Sequence, residues 1–288
     1  MLPTPMQLDA LHIGYTGDGF EMRRNKAFQT GCGTLALLAM AYAPTSIAGH
    51  AWSSYHWERS SNPFTLELGD NVDSSWDGHL LSASTDWSVS TVINTTVIAG
   101  TTKPRRCSPK AGNVQVCNLT YGNNGWLGIA GISVSGGHIT AGYVKLNDTY
   151  FNTATYNTPA WRQMVTCQEI GHTFGLGHQD ENFSNANLNT CMDYTSNPES
   201  NQYPNQHDYD QRESIYAHID ATDSGSDGGD TGCNPRSPKC NPANVPAGWG
   251  HLVSKHGPQE VFELDLGGGN KIITHVTWTL EHADNHRH

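Results

Sequence analysis

The sequence predicts an α+β fold: a mixed, twisted sheet, a long helix, an extended loop, a C-terminal helix and a small β-rich tail. Three observations lead to this prediction. Alternating or β-branched stretches bounded by Gly, Pro and Asn recur between residues 64 and 146, as expected for strands. Thr158 and Pro159 then begin the longest helical pattern. With 288 residues, the chain is long enough to bury a sizeable core.

Local patterns predict the individual elements. Apolar residues at three- to four-residue spacing indicate a helix within 74–87, capped by Ser74 or Ser75. The main helix should run from Thr158 to about Phe174, where Gly175 ends it. Strands are predicted at 64–68, 89–98, 114–121, 126–134 and 138–146, the last two as a hairpin at the sheet edge, and the final helix at 208–219.

Composition divides the chain into four segments. Three basic residues at 23–26, an apolar stretch at 34–43 and small residues at 46–51 form the layout of a secretory signal. We therefore interpret 1–51 as an N-terminal extension and signal peptide. The other segments are a main domain at 52–220, an acidic Gly- and Pro-rich linker at 221–246 and a C-terminal β-hairpin appendage at 247–288.

Charge narrows the range of partners. The formal net charge is -11, and no run of Lys or Arg makes a basic footprint, so a nucleic-acid partner is not expected. The apolar stretch at 34–43 is too short to span a bilayer. We expect a secreted, monomeric protein that does not bind a membrane once the signal is removed.

The cysteines favour three disulfides. Cys32 would be removed with the signal, which leaves an even number, as in many secreted proteins. Six cysteines permit 15 pairings. Cys107–Cys117 and Cys233–Cys240 would each close a short loop, which leaves Cys167–Cys191 as the favoured third pair.

A candidate metal site lies in the stretch TCQEIGHTFGLGHQD at 166–180. Gln168 and His172 are four residues apart on a helix and project from one face, so both could bind one ion. Gly175 permits a sharp turn that returns His178 as a third ligand. Glu169 would stand beside the ion, where a carboxylate can take a proton from bound water.

This stretch resembles the motif of the metzincin clan of zinc endopeptidases, and its text EIGHTFGLGH is similar to matrixins and serralysins. The resemblance covers about residues 64–219 and implies a zincin-like fold with one catalytic zinc ion. It implies that Met192 forms an apolar floor beneath the metal and that Tyr194 stabilises the oxyanion. Glu169 would be the general base of a secreted endopeptidase that hydrolyses protein or peptide substrates, held as an extended strand along the 126–146 hairpin.

Gln168 departs from this motif, which has histidine at that position. An amide oxygen suits Ca²⁺ or Mn²⁺ better than Zn²⁺. Three interpretations therefore stay open: weak zinc binding with activity, a hydrolase using another divalent metal, or an inactive binding module. His79 and His138 are candidates for a replacement ligand, although surface histidines without this role are more common. Asp180 and Glu181 form a candidate calcium site beside the centre.

Overall fold

The computed structural model describes residues 50–182, 185–220, 248–256 and 259–285. The predicted signal peptide up to residue 49, the linker at 221–246 and the Cys233–Cys240 pair lie outside these residues. Everything described belongs to one compact unit. Its secondary structure is α+β, as the sequence predicts.

The elements follow the predicted order with shifted boundaries. The strands are β1 (His56–Trp57), β2 (Phe64–Asn71), β3 (Ile93–Ala99), β4 (Lys110–Ala111), β5 (Asn113–Leu119), β6 (Trp126–Ser135), β7 (His138–Asn147), β8 (His251–His256), β9 (Gln259–Gly267) and β10 (Asn270–Trp278). The helices are α1 (Asp77–Trp87), α2 (Asp148–Phe151), α3 (Pro159–His172), α4 (Gln206–Ile215) and α5 (Leu280–Asn285).

The strands form one mixed sheet in the order β3-β2-β5-β4-β7-β6-β10-β9-β8, with β1 beside β7. β2 is parallel to β3 and β5, and β5 is parallel to β7. From β7 onward the pairing is antiparallel through β6, β10, β9 and β8. The C-terminal strands therefore continue the main sheet.

The prediction that the 126–146 hairpin lies at a sheet edge is wrong. β10 pairs with β6 along its length, from Asn270 opposite Ser135 to Trp278 opposite Trp126. The predicted β9–β10 turn is present, and Gly267, Gly268 and Gly269 adopt the positive φ that it requires. The sequence pattern did not predict β8, which pairs only with β9 among the described strands. β10 thus occupies the edge where a peptide was expected.

Helices α1 and α3 pack against each other and on the sheet. Trp87, at the end of α1, is fully buried, and its indole Nε1 donates to the Cys167 carbonyl of α3 at 3.0 Å. Thr158 caps α3 as predicted, accepting from the Trp161 amide. The predicted serine cap of α1 is wrong, because Trp76 is the cap residue and provides no side-chain bond. Within the described chain, no helix combines the length and apolar character needed to cross a bilayer.

Two of the three predicted disulfides are present. Cys107 pairs with Cys117, and Cys167 pairs with Cys191. The second joins α3 to the segment that contains Met192, and both its cysteines are fully buried.

Loss of the Cys167–Cys191 bond should destabilise the protein by about 3–4 kcal/mol, because the bond closes a long loop in the unfolded chain. Its cysteines are 24 residues apart, against 10 for the other pair. Urea unfolding of a Cys167→Ala/Cys191→Ala variant measures this loss, and a Cys107→Ala/Cys117→Ala variant is the matched control with a smaller loss. A change below about 1 kcal/mol would contradict the expectation.

A buried lysine should make stability depend on pH. Lys145, on β7, is 1% exposed, and burial lowers the pKa of its ammonium from 10.5 to about 7. Between these values the unfolded chain binds a proton that the folded chain does not, so stability rises with pH. From pH 7 to 8.5 the gain should be about 1.5 kcal/mol. Urea unfolding at both pH values measures this gain, which should be absent in Lys145→Met. An equal gain in wild type and Lys145→Met would rule out Lys145 as its source.

Candidate metal centre

Helix α3 and the turn after it position the predicted motif. α3 ends at His172. Gly175 follows with a φ of 90°, a backbone conformation that residues with a Cβ rarely adopt. The turn is fixed by the N-terminal segment: the Gly175 carbonyl accepts from the Trp52 amide, and the Gly177 amide donates to the His50 carbonyl. His178 is thereby brought back towards α3.

Three histidines converge at this point, and one of them was not predicted. His172, His178 and His275 each offer a ring nitrogen, and these atoms lie within 4.8 Å of one another. His275 comes from β10, in the part of the chain predicted as an appendage without a chemical role. The exposed fractions are 0% for His172, 6% for His178 and 2% for His275. A shielded three-imidazole cluster results.

The ring nitrogens of this cluster that lack hydrogen-bond partners could bind a metal cation. His172 Nδ1 lies 2.9 Å from the Leu176 carbonyl, which can only accept, so Nδ1 carries the proton and Nε2 presents a lone pair. Among the described residues, His172 Nε2, His178 Nε2 and both nitrogens of His275 lack a hydrogen-bond partner. Buried polar atoms without partners are costly unless something binds them. A metal ion bound by one nitrogen of each ring would satisfy three of these four atoms.

Burial also keeps the imidazoles in the neutral form that binds metals. It lowers the pKa of His172 from 6.5 to about 3. The pKa values of His178 and His275 fall well below 6.5, again mainly through burial and then through the neighbouring imidazoles. At neutral pH all three rings are therefore neutral, and each keeps one nitrogen lone pair free to bind a metal.

Glu169 is fully buried, and Thr277, two residues beyond His275 on β10, links it to the strand that carries that histidine. Its Oε1 accepts from the Thr277 hydroxyl at 2.7 Å, and its Oε2 is buried without a partner. Burial raises the pKa of Glu169 to about 8, and the hydrogen bond from Thr277 partly offsets this rise. Gly128 of β6 provides the necessary space, because a Cβ there would be 2.5 Å from Oε1. A nearby cation would favour the ionised carboxylate and lower this pKa.

Gln168 joins three parts of the chain. Its amide nitrogen donates to the Cys191 carbonyl at 2.9 Å. Its amide oxygen lies 3.3 Å from Gln259 Nε2 on β9 and 3.2 Å from the Thr277 hydroxyl on β10. Because both ends of the amide are already engaged, we interpret Gln168 as a link between α3, the Met192 segment and the hairpin.

Replacing Gln168 by histidine should not strengthen metal binding, because His275 already supplies a third imidazole. We expect zinc affinity within about threefold of wild type, and stability lower by about 1–2 kcal/mol through lost hydrogen bonds. Zinc titration and urea unfolding measure these effects, with Gln163→His, earlier on α3, as the matched control. A tenfold or larger gain in zinc affinity in Gln168→His would show that residue 168 faces the metal.

Tyr194 borders the cluster, and Met192 packs against the end of α3. Met192 is fully buried, and its sulfur would be 2.8 Å from a Cβ placed on Gly171, so it packs closely against the last turn of α3. The Tyr194 ring packs against that of His178, with centroids 4.5 Å apart. Burial raises the pKa of the Tyr194 phenol well above 10, so the phenol stays protonated at neutral pH.

The predicted replacement ligands lie elsewhere. His79 hydrogen-bonds the Gln163 side chain at 3.0 Å, and His138 lies 3.5 Å from Asp220. The histidine that joins the centre is His275, which is 97 residues beyond His178 (275 − 178). The only sequence signal for His275 is that it lies two residues before Thr277 on one strand, so both side chains point to the same face of the sheet.

A cavity of about 770 Å³ borders the cluster. Its walls come from the N-terminal segment, the loop after α3 and the C-terminal strands, and they include Trp52, His178, Tyr194, Gln259 and His275. Trp52 stacks on His275, with ring centroids 3.7 Å apart. The cavity is large enough for a small-molecule or peptide segment.

The candidate calcium ligands are engaged by other groups. The two carboxylate oxygens of Asp180 accept from the Asn182 amide and the Asn185 side chain. Glu181 pairs with His256 at 2.9 Å. Calcium binding here stays a prediction.

Two further clusters in the described residues could hold a metal ion. One consists of His50, His207 and Asp208, and the other of His56, His218 and Asp220. The chain therefore has more than one potential metal site.

Comparisons with known proteins identify no family. No protein-family model matches the chain, and no curated protein is similar enough to it to count as a relative.

Proposed function

We propose that this protein is a secreted zinc-dependent endopeptidase whose metal ligands are His172, His178 and His275. The observation that carries the proposal is the set of buried imidazole nitrogens without partners, on the same helix and strand as the buried carboxylate of Glu169 and its partner Thr277. A perturbed carboxylate next to metal-binding groups is typical of catalytic sites.

The ligand set favours zinc. Three neutral imidazoles are a common protein ligand set for catalytic zinc, which keeps a fourth position open. Zinc held there would polarise a substrate carbonyl and lower the pKa of a bound water to about 7. The Leu176 carbonyl fixes the tautomer of His172 in the way that partners of metal-bound histidines usually do.

The other residues have separate roles in the proposed reaction. Glu169 Oε2 receives the proton of the attacking water and later donates it to the leaving amine. Thr277 holds Glu169 Oε1, so that Oε2 keeps one orientation. The protonated phenol of Tyr194, beside His178, can donate a hydrogen bond to the developing oxyanion.

The fold is consistent with the metzincin resemblance. β2, α1, β3, β5 to β7, α3, the Met192 segment and α4 follow one another in the expected order. Met192 packs against the last turn of α3, and its proposed role is the apolar floor beneath the metal that the resemblance implies. We therefore propose a zincin-like domain in which a C-terminal hairpin supplies the ligand that Gln168 does not. The two disulfides support secretion, because such bonds persist mainly in oxidising compartments.

A second candidate is a metal-binding module without catalytic activity. β10 occupies the hydrogen-bonding edge of β6, and Glu169 is fully buried. A peptide would therefore have to enter through the cavity bordered by Trp52, His178 and His275, and could not lie along β6 as predicted.

Cleavage of a reduced, unfolded polypeptide by purified protein distinguishes these candidates. The proposal expects cleavage that a chelator stops and that stoichiometric zinc restores better than Mn²⁺ or Ca²⁺. Restoration only by another metal would support a hydrolase using that metal. Zinc binding without cleavage would support the non-catalytic module.

A further inference from the structure

A second cluster of metal-binding side chains lies away from the proposed catalytic centre. It joins β1, the start of β7 and the segment after α4. His56, His218 and Asp220 each offer a ligand atom within 4.8 Å of the other two, and His138 borders them through Asp220.

The distances among His56, His218 and Asp220 fit three corners of a tetrahedral site. His56 Nε2 and His218 Nε2 lie 3.0 and 3.3 Å from Asp220 Oδ1, and they are 3.2 Å from each other. Bonds of about 2.0–2.1 Å to zinc at tetrahedral angles place neighbouring ligand atoms on the order of 3.3 Å apart. His138 Nε2 is 3.5 Å from the same carboxylate oxygen, and its side chain is 32% exposed, so a turn of this imidazole towards the other three would supply a fourth ligand.

The hydrogen bonds around the cluster leave room for a cation at its centre. His56 Nδ1 lies 2.7 Å from the Ser54 carbonyl, which only accepts, so Nδ1 carries a proton. His56 Nε2 then faces the Asp220 Oδ1 acceptor, 3.0 Å away, and His218 Nε2. Either a proton on a ring nitrogen or a metal ion must lie between these atoms, because a contact between lone pairs alone is repulsive.

Hydrogen bonds from Arg59 orient Asp220 in the way that neighbouring residues orient metal ligands. Asp220 Oδ2 accepts from the Arg59 amide at 3.0 Å and from its guanidinium at 3.2 Å, which leaves Oδ1 for the cluster. Partners of this kind orient metal ligands and raise affinity. The side chains of His56 and Asp220 are only 10% and 9% exposed, whereas that of His218 is 56% exposed, so an ion could enter on the His218 side.

We propose that His56, His138, His218 and Asp220 bind a structural zinc ion. Four protein ligands leave no open position for substrate, as expected for a structural site. The ion would tie the end of the α4 segment to β1 and β7, directly before the residues predicted as a linker. This site is independent of the proposed peptidase activity.

Zinc titration of full-length protein stripped with a chelator tests this proposal. His218→Ala and Asp220→Asn should each bind one zinc ion fewer per chain than wild type, by elemental analysis after desalting. Affinity at this site should fall at least about 100-fold. The rise in Tm that zinc produces should also be smaller in both variants. His251→Ala, at an exposed position on β8, is the matched control and should keep the full zinc content.

The outcomes separate the two metal sites. His275→Leu should lose a different zinc ion, so His218→Ala combined with His275→Leu should lose two. His218 is exposed, so its variant tests the site even if Asp220→Asn folds poorly. An unchanged zinc content in His218→Ala would overturn the proposal and indicate that a proton on His56 holds the cluster together.

Discussion

Replacing His275 by leucine is expected to remove the proposed catalytic zinc and reduce peptide hydrolysis to background. Loss of a partner that merely orients a ligand costs about 10–100-fold in metal affinity or activity, so loss of a direct ligand should cost at least about 100-fold. The metal-free variant should be at least as stable as metal-free wild type, because both ring nitrogens of His275 are buried without partners. Zinc titration, peptide cleavage and urea unfolding in chelator measure the three quantities.

The matched control is His251→Leu, on the exposed strand β8 of the same C-terminal region. It should retain wild-type zinc affinity and cleavage. If His275→Leu also retained both, the metal would not be bound by β10, and the role of the C-terminal strands would be structural only.

Replacing Glu169 by glutamine should abolish cleavage while leaving zinc in place. General acid–base catalysis by a positioned side chain contributes about 10²–10⁴-fold, and an amide cannot take the proton. Glutamine has nearly the same shape and can still accept from Thr277, so the centre should stay intact. The measurements are kcat on a peptide substrate and zinc content of the same preparation.

Glu213→Gln, on α4, is the matched control, because its carboxylate is exposed and hydrogen-bonds Thr91. It should cleave at the wild-type rate. Equal cleavage by Glu169→Gln and wild type would refute the role of Glu169 as general base. Absence of cleavage in the wild type itself, with zinc bound, would favour the non-catalytic module.

Local sequence signals predicted much of the fold. Thr158 and Pro159 begin the main helix, and the glycine-rich turn joins β9 and β10, as expected from residue preferences that act over a few positions. The pairing of Cys167 with Cys191 also followed from the sequence, because the other cysteines have near neighbours in the chain.

The third histidine could not be predicted in this way. His275 lies in a strand where alternation is the only local pattern, and no spacing relates it to His172 or His178. Its position depends on the pairing of β10 with β6, a long-range contact that local preferences do not specify. The same pairing overturned the expectation that β6 is an edge strand. Gln168 departs from the metzincin motif, but this departure does not indicate that His275 lies near His172 and His178.

Anomalous diffraction from crystals grown with zinc would locate the bound metal. We expect a peak at the zinc edge bonded to ring nitrogens of His172, His178 and His275, with Glu169 beside it and Gln168 still paired with the Cys191 carbonyl. A peak ligated by Gln168, with His275 turned away, would refute the proposed ligand set. So would the absence of a peak at these three histidines.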